Sequence, residues 1–407
     1  MKSTAPRRSS LTALLSLLLA LLMAAPLVAQ SDEGLEEFDE IDPWTEDDPE
    51  AIKTLGYTRF GPFIWHGADR TIEVQQKLGG TPMLFVETEH FRIGSSLTSY
   101  TIPADKPEQK RIEGELKRLK KKLRAFDPRV RKLDPWLRLH LYAQRAEEFY
   151  ARFHEEFGIE PAAYEDLGPH LGYPNKHLIL LCERSSEFVR YLNVYQQAQG
   201  SHSYRWGWQN DCLLFMTDAE AMEKSWEDVD AELPFDTMLY NRLATGMAQM
   251  FMDGLRQNMF STPIWIGHAL SHRWTREIDP RFPYLFGRTR GRNFEGDNHE
   301  WDDRLSGLIK NDFYASVEDM FGWHTYDQMN ERDHMVVWSR LEYLLEEADG
   351  DFGQFVLDIS VPLFETEPDK RGAAFLERQT KALADNFGMT PDEFVQRWAK
   401  WGKRRHR

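Results

Sequence analysis

The sequence predicts an α+β protein in which strands and helices share the N-terminal half and helices fill the C-terminal half. Two observations lead to this prediction. Apolar runs of strand type, rich in β-branched and aromatic residues, occur at residues 81–96, 177–183 and 203–218. After Pro234, apolar residues recur at spacings of three and four, which is typical of amphipathic helices.

The first 29 residues have the composition of a secretory signal peptide. Lys2, Arg7 and Arg8 precede the apolar run LTALLSLLLALLMAAPLVA, which is too short for a reliable membrane span and whose small residues suit cleavage after Ala29. We therefore expect an exported chain, periplasmic or extracellular, with no stable membrane span after cleavage. The pair Arg7-Arg8 leaves twin-arginine export open beside the ordinary secretory route.

Residues 30–50 are predicted to form an acidic, disordered leader. Residues 31–50 carry eleven acidic side chains and no basic one, so they cannot bury enough apolar surface to offset chain entropy. A docking peptide around Phe38 and Trp44 is the alternative. The formal net charge of −16 becomes −19 without the three basic residues of the signal peptide, and we therefore expect no nucleic-acid partner.

Between residues 51 and 235 the sequence predicts an α+β part. Residues 81–96 read as extended chain, residues 110–126 as an amphipathic helix with a lysine-rich outer face, and residues 137–158 as a helix that ends at Gly158. A strand at 177–183 precedes a helix with Ser185 or Ser186 as N-cap, and a hairpin at 203–218 follows. Cys182 and Cys212 lie on two of these strands, as a disulfide or as two buried thiols.

The part from 236 to 403 is predicted to be helical and to carry the candidate site. Residues 239–257 form one amphipathic helix, and the loop NMFST leads to a second helix with Thr262 as N-cap and Pro263 at its first position. The second helix contains the stretch PIWIGHALSHRWTREI, in which His268 and His272 are four residues apart.

This helix pair resembles the gluzincin or peptidase MA-like family of metallopeptidases, which have a zincin-like fold. In that family the first helix supplies two histidine ligands and a general-base glutamate, and the second opens with proline, one residue and tryptophan and supplies a glutamate ligand. Pro263 and Trp265 match the opening of the second helix. The order of strands and helices over residues 81–401 is similar as well, so the resemblance implies a zincin-like fold for this chain.

The resemblance also implies that the metal site is degenerate. In this register Thr245 and Gln249 stand where the histidine ligands would be, Gly246 where the general base would be, and His268 where the glutamate ligand would be. No HExxH occurs in the chain, since its only His-Glu dipeptides begin at His154 and His299. We therefore expect a catalytically inactive, peptidase-like protein without metal or cofactor.

The expected partner of such a pseudo-metallopeptidase is a peptide or an envelope protein in the former substrate cleft. The aromatic residues Tyr204, Trp206 and Trp208, with His202 beside them, either line a groove for a peptide or a sugar or pack in the core and the hairpin. The sequence leaves the oligomeric state open.

The alternative interpretation takes His268 and His272 as a zinc-binding pair. They share a helical face, and Glu277, His299 or His202 would supply a third ligand for a metal-dependent hydrolase with a rearranged site. The structural interpretation makes His272 a surface residue and His268 a hydrogen-bonded cavity filler.

Overall fold

The computed structural model describes residues 41–123, 126–208, 210–227, 234–258, 262–280, 301–360 and 367–406. The predicted signal peptide, Phe38 and His299 lie outside the described residues. No helix among the described residues is long and apolar enough to cross a bilayer.

A six-stranded mixed sheet lies at the centre of the N-terminal half. Its order is β1-β4-β5-β8-β10-β9, in which β5, β8 and β10 run parallel to one another while β1, β4 and β9 pair antiparallel to their neighbours. β2 pairs with β3, and β6 with β7. The strands are β1 Arg59–Phe60, β2 Ile64–His66, β3 Asp69–Arg70, β4 Leu84–Glu87, β5 Phe91–Ser95, β6 Tyr100–Thr101, β7 Lys132–Leu133, β8 His177–Cys182, β9 Ser203–Gly207 and β10 Leu213–Asp218.

Helices surround this sheet and make up the C-terminal half. They are α1 Pro49–Leu55, α2 Thr71–Lys77, α3 Lys106–Leu119, α4 Pro135–Phe157, α5 Ser185–Tyr191, α6 Ala219–Glu227, α7 Phe235–Gly254, α8 Ile264–Ile278, α9 Trp301–Lys310, α10 Val317–Gly322, α11 Glu331–Glu346, α12 Phe352–Ile359, α13 Arg371–Phe387 and α14 Pro391–Arg405. Among the described residues all strands end before residue 219, so the predicted helical C-terminal half is confirmed.

The two faces of the sheet bury different cores, because successive strand residues point to opposite sides. Ile179 and Phe215 face the larger core, which includes residues of α4 and α7. Leu180 and Met216 face a smaller core, which includes residues of β2, α2 and α5. The predicted strands at 81–96, 177–183 and 203–218 are therefore the buried middle and one edge of the sheet.

A buried charge network fixes the start of α7. Asp236 is fully buried and accepts hydrogen bonds from Arg145 Nη2 at 2.8 Å, Arg111 Nη2 at 3.0 Å and the Tyr142 hydroxyl at 3.0 Å. Burial by itself raises the pKa of Asp236, but the charges of Arg145 and Arg111 hold it well below its usual value. The network anchors the helix that carries Thr245.

The prediction of disorder through residue 50 is wrong for the described residues 41–50. Asp42 is fully buried, its Oδ2 lies 3.0 Å from His140 Nε2, and it accepts a hydrogen bond from Thr45 Oγ1 at 2.6 Å. The ring of Trp44 packs edge-on against Phe126 at 5.7 Å. The fold begins before residue 51, because a few of the acidic and aromatic side chains find specific buried partners.

The structure corrects the predicted end of one helix and decides whether the two cysteines form a disulfide. The helix predicted over residues 110–126 ends at Leu119, and a turn then brings Leu123 into the core. Cys182 and Cys212 are buried free thiols. Cys182 lies opposite Asp218 at one end of β10 and Cys212 precedes the other end, so the two cannot approach each other as a disulfide requires.

Candidate functional site

The predicted site lies where α7 and α8 pack against each other. A Cβ added at Gly267 of α8 would lie 3.7 Å from Cγ of Gln249 on α7, so the crossing places Gln249 beside the turn that carries His268. Thr245, Gln249 and His268 are all buried. Of these three side chains only that of His268 is a usual zinc ligand, since zinc prefers thiolate, imidazole and carboxylate donors.

Gly246 is pressed against the sheet. A Cβ at this position would lie 2.1 Å from Cε2 and 2.4 Å from Cδ2 of the Phe215 ring on β10. Carbon atoms in contact are normally about 3.5–4.0 Å apart. The place at which the resemblance would put a general-base glutamate is therefore filled by an aromatic ring.

Three histidines meet where α8 packs against α11. His272 Nε2 lies 3.1 Å from Nδ1 of His334, which belongs to the first turn of α11. The ring centroid of His334 is 5.0 Å from that of His268 and 5.2 Å from that of His272. His334 thus lies between the two histidines of the HxxxH pair.

Burial keeps these imidazoles neutral at neutral pH. It lowers the pKa of His334 to about 4. It also lowers the pKa values of His268 and His272 well below the usual range, and the neighbouring His334 adds to this effect. Neutral imidazole is the form that binds metals and that can pass a proton between its two nitrogens.

Glu277 and His202, which were expected as third ligands of the pair His268 and His272, have other partners in the structure. Glu277 is half-exposed and binds Arg152, with Oε1 2.8 Å from Nη2, so it points away from the histidines. His202 lies beside the start of β9, where its carbonyl accepts from the Asp218 amide at 2.9 Å. The expectation that His272 is a surface residue is wrong, because it is 1% exposed and packs against Trp301.

The donor geometry of the three histidines is incomplete for a metal. Among the described residues, the nitrogens of His268, His272 and His334 do not all lie within 4.8 Å of one another. Zinc with three nitrogen ligands at about 2.0–2.1 Å would bring them to within about 3.4 Å. Coordination by all three rings requires at least one side chain to rotate.

A polar contact links the histidine cluster to the edge of the sheet. The ring of Tyr326 lies edge-on to His268 at 5.1 Å, and its hydroxyl accepts from Arg205 Nη2 at 2.9 Å. Arg205, on β9, also pairs with Asp253 of α7. The Asp253 carboxylate is engaged by this cation, so it is not placed to activate water beside the histidines.

β9 is the outermost strand of the sheet and pairs on one side with β10. Two hydrogen bonds show which residue pairs of the β9–β10 ladder are hydrogen-bonded: Asp218 N donates to the His202 carbonyl, and Trp208 N donates to the Cys212 carbonyl. Hydrogen-bonded and non-hydrogen-bonded pairs alternate along an antiparallel ladder. By that alternation Ser203, Arg205 and Gly207 turn their backbone groups away from β10. No other described strand pairs with this outer edge.

Comparisons of the chain with protein-family models, curated proteins and solved structures found no match.

His334 and Phe215 are the two site residues that the sequence did not single out. His334, Trp338 and Leu341 recur at spacings of four and three on one face of α11, so a histidine on a buried helical face was a usable signal for the first. Phe215 lies in the middle of an apolar strand, and nothing local distinguishes it from the other core residues of that strand.

Proposed function

We propose that the protein is an exported, catalytically inactive, peptidase-like protein that binds an extended segment of another polypeptide along β9. The export rests on the composition of residues 1–29. The peptidase-like part rests on the likeness of the α7–α8 pair to the gluzincin helix pair and on its position against a mixed sheet.

The observation that carries the proposal is the outer edge of β9. A strand that no other strand covers on one side is a template for an added strand, and natural peptide-binding domains use such edges. Side chains of an added peptide would alternate between the two faces of the sheet. On one face they would meet Trp206, which is 41% exposed, and on the other Arg205 with the exposed ring of Tyr326.

The absence of catalysis is supported by the three positions on α7. Thr245 and Gln249 replace both histidine ligands, and Gly246 is closed by the Phe215 ring. The site then has neither the ligands that hold zinc nor the carboxylate that activates its water.

The test measures the retention of unstructured peptides and asks whether a substitution on the outer edge of β9 reduces it. Immobilised protein is incubated with peptides from digested casein, and the retained peptides are identified by mass spectrometry. Ser203→Pro removes a backbone donor from the outer edge at the first residue of the strand, where proline is tolerated. Ser203→Ala is the matched control, because it keeps that donor.

We expect the wild type and Ser203→Ala to retain the same peptides intact, and Ser203→Pro to retain several-fold less. Equal retention by all three proteins would refute strand addition. Cleavage of the peptides that stops on adding a chelator would refute the inactive assignment.

One observation favours a second candidate, a metal-dependent hydrolase. His334 supplies the third imidazole that the pair His268 and His272 requires, with one nitrogen contact already at 3.1 Å. Zinc held there would act as a Lewis acid on a bound carbonyl or water. This candidate predicts chelator-sensitive cleavage of the casein peptides that His334→Ala abolishes, whereas the favoured proposal predicts no cleavage by either protein.

A further inference from the structure

A second group of donor atoms lies at the turn between β9 and β10. His66 is the last residue of β2, and Asp211 and Cys212 stand just before β10. One nitrogen of His66, one carboxylate oxygen of Asp211 and Sγ of Cys212 all lie within 4.8 Å of one another. No other group of three such donors occurs among the described residues.

We propose that His66, Asp211 and Cys212 form a zinc-binding site. Imidazole, carboxylate and thiolate are the three side-chain donors that zinc prefers, with bonds of about 2.0–2.3 Å. Ligand atoms around a tetrahedral zinc are about 3.4–3.6 Å apart on these bond lengths. Because the three donor atoms already lie within 4.8 Å of one another, adjustments of about 1 Å would bring them to that arrangement.

The contact between His66 and Asp211 leaves the imidazole nitrogen without a hydrogen bond. His66 Nε2 and Asp211 Oδ2 lie 2.6 Å apart, yet this contact does not have the direction of a hydrogen bond. A histidine and a carboxylate that form a simple pair would align the N–H with the oxygen. The lone pair of His66 Nε2 is therefore available to a metal ion, which would separate the two atoms to the roughly 3.4 Å that tetrahedral zinc requires.

Neighbouring groups hold each ligand in place, as outer-shell groups do in metal sites. The ring of Trp208 stacks on His66 with the centroids 4.1 Å apart. Asn175 Nδ2 donates to Asp211 Oδ1 at 2.6 Å, which leaves Oδ2 directed at His66. Cys212 is 1% exposed and belongs to the smaller core, with Sγ within 4.8 Å of both other donor atoms.

The site is open on one side. The side chains of His66 and Asp211 are 19% and 32% exposed, whereas His66 Nε2 itself is buried, so an ion would enter beside Asp211 and a water would take the fourth position. Binding would join the β2–β3 hairpin to the turn that follows β9, and the thiol proton of Cys212 would pass to solvent. The metal would therefore stabilise the end of the edge strand, independently of whether that strand binds peptide.

The experiment uses the full chain, purified without a histidine tag and stripped of metal with a chelator. Cobalt(II) is the probe, because thiolate-bound cobalt has a charge-transfer absorption that histidine-bound cobalt lacks. We expect one equivalent of cobalt to produce this absorption in the wild type, and one equivalent of zinc to abolish it by displacement. Cys212→Ser should lose the absorption, and His66→Gln should weaken cobalt binding at least tenfold.

Two controls make the result specific to this group. Cys182→Ser removes the other buried thiol and should keep the absorption. His334→Ala removes the central histidine of the α8–α11 cluster and should also keep it, which separates this site from the one above. Absence of the absorption in the folded wild type, or its persistence in Cys212→Ser, would overturn the proposal.

Discussion

Replacing Gly246 by alanine should destabilise the protein, although alanine is the better helix former. The added Cβ would lie 2.1, 2.4 and 2.6 Å from three atoms of the Phe215 ring. These separations fall about 1.4 Å short of an ordinary contact at the closest point. Overpacking of a core costs about 1–3 kcal/mol, and an overlap of this size belongs at the upper end.

The helix propensity of alanine offsets part of this cost. Alanine is favoured over glycine by about 1 kcal/mol in a helix interior. The free energy of unfolding of Gly246→Ala should therefore be lower than that of the wild type by about 2 kcal/mol. Urea denaturation followed by tryptophan fluorescence and circular dichroism measures this difference.

Gly307 provides the matched control. It lies in α9, and a Cβ added there would have no atom within 4 Å, so Gly307→Ala should stabilise the protein by up to about 1 kcal/mol. In a Phe215→Ala background the Gly246→Ala change should no longer be costly, because the ring that it meets is gone. If Gly246→Ala is as stable as Gly307→Ala, the Phe215 ring does not close this position, and the predicted overlap is wrong.

Three more predictions follow from the buried polar groups. Asp236→Asn should lower the free energy of unfolding by about 3–5 kcal/mol, because Arg145 then keeps a buried charge without its carboxylate. The control is Glu113→Gln, which removes an exposed ion pair with Lys117 and should change the free energy of unfolding by less than about 1 kcal/mol in the same denaturation assay. Acid should destabilise the protein as the pH falls from about 6.5 towards 4. Burial lowers the pKa of His334 to about 4, whereas an unfolded histidine titrates near 6.5, so the unfolded chain takes up the proton first. The urea midpoint of His334→Gln should fall less over this range, and the same dependence of the midpoint on pH as in the wild type would contradict the lowered pKa of His334. Asp42→Ala should cost about 1–3 kcal/mol by leaving its buried partners unsatisfied, and no measurable loss would mean that residues 41–48 do not contribute to the fold.

Most of the regular elements could be predicted because their signals are local. The strand β8 is an apolar run of six residues. Helix α4 begins at the proline of an Asp-Pro pair and ends before a glycine with positive φ, so its limits can be read within a window of about 25 residues. The end of α3 was missed because Leu123 continues the helical spacing while the backbone already turns to bury it. Tertiary packing overrides a local pattern in such places.

Residues 41–50 show the same limit of local patterns, because here the chain is more ordered than its composition predicts. Its composition predicts disorder, since charge is high and apolar content is low. Asp42 is buried because His140, almost a hundred positions later, offers a partner on α4. Composition averages over a segment and cannot identify a single side chain with a distant partner.

The sequence by itself determined the order of the elements, the i and i+4 placement of His268 and His272, and the absence of HExxH, because each of these depends on neighbouring residues alone. Only the tertiary structure decided that His334 meets this pair, that Phe215 fills the place beside Gly246, and that His66 faces Cys212. The partners in these contacts are separated by between 31 and 146 positions in the chain. Contacts over such separations arise when the sheet and helices pack into one core, and no pattern within a single element encodes them.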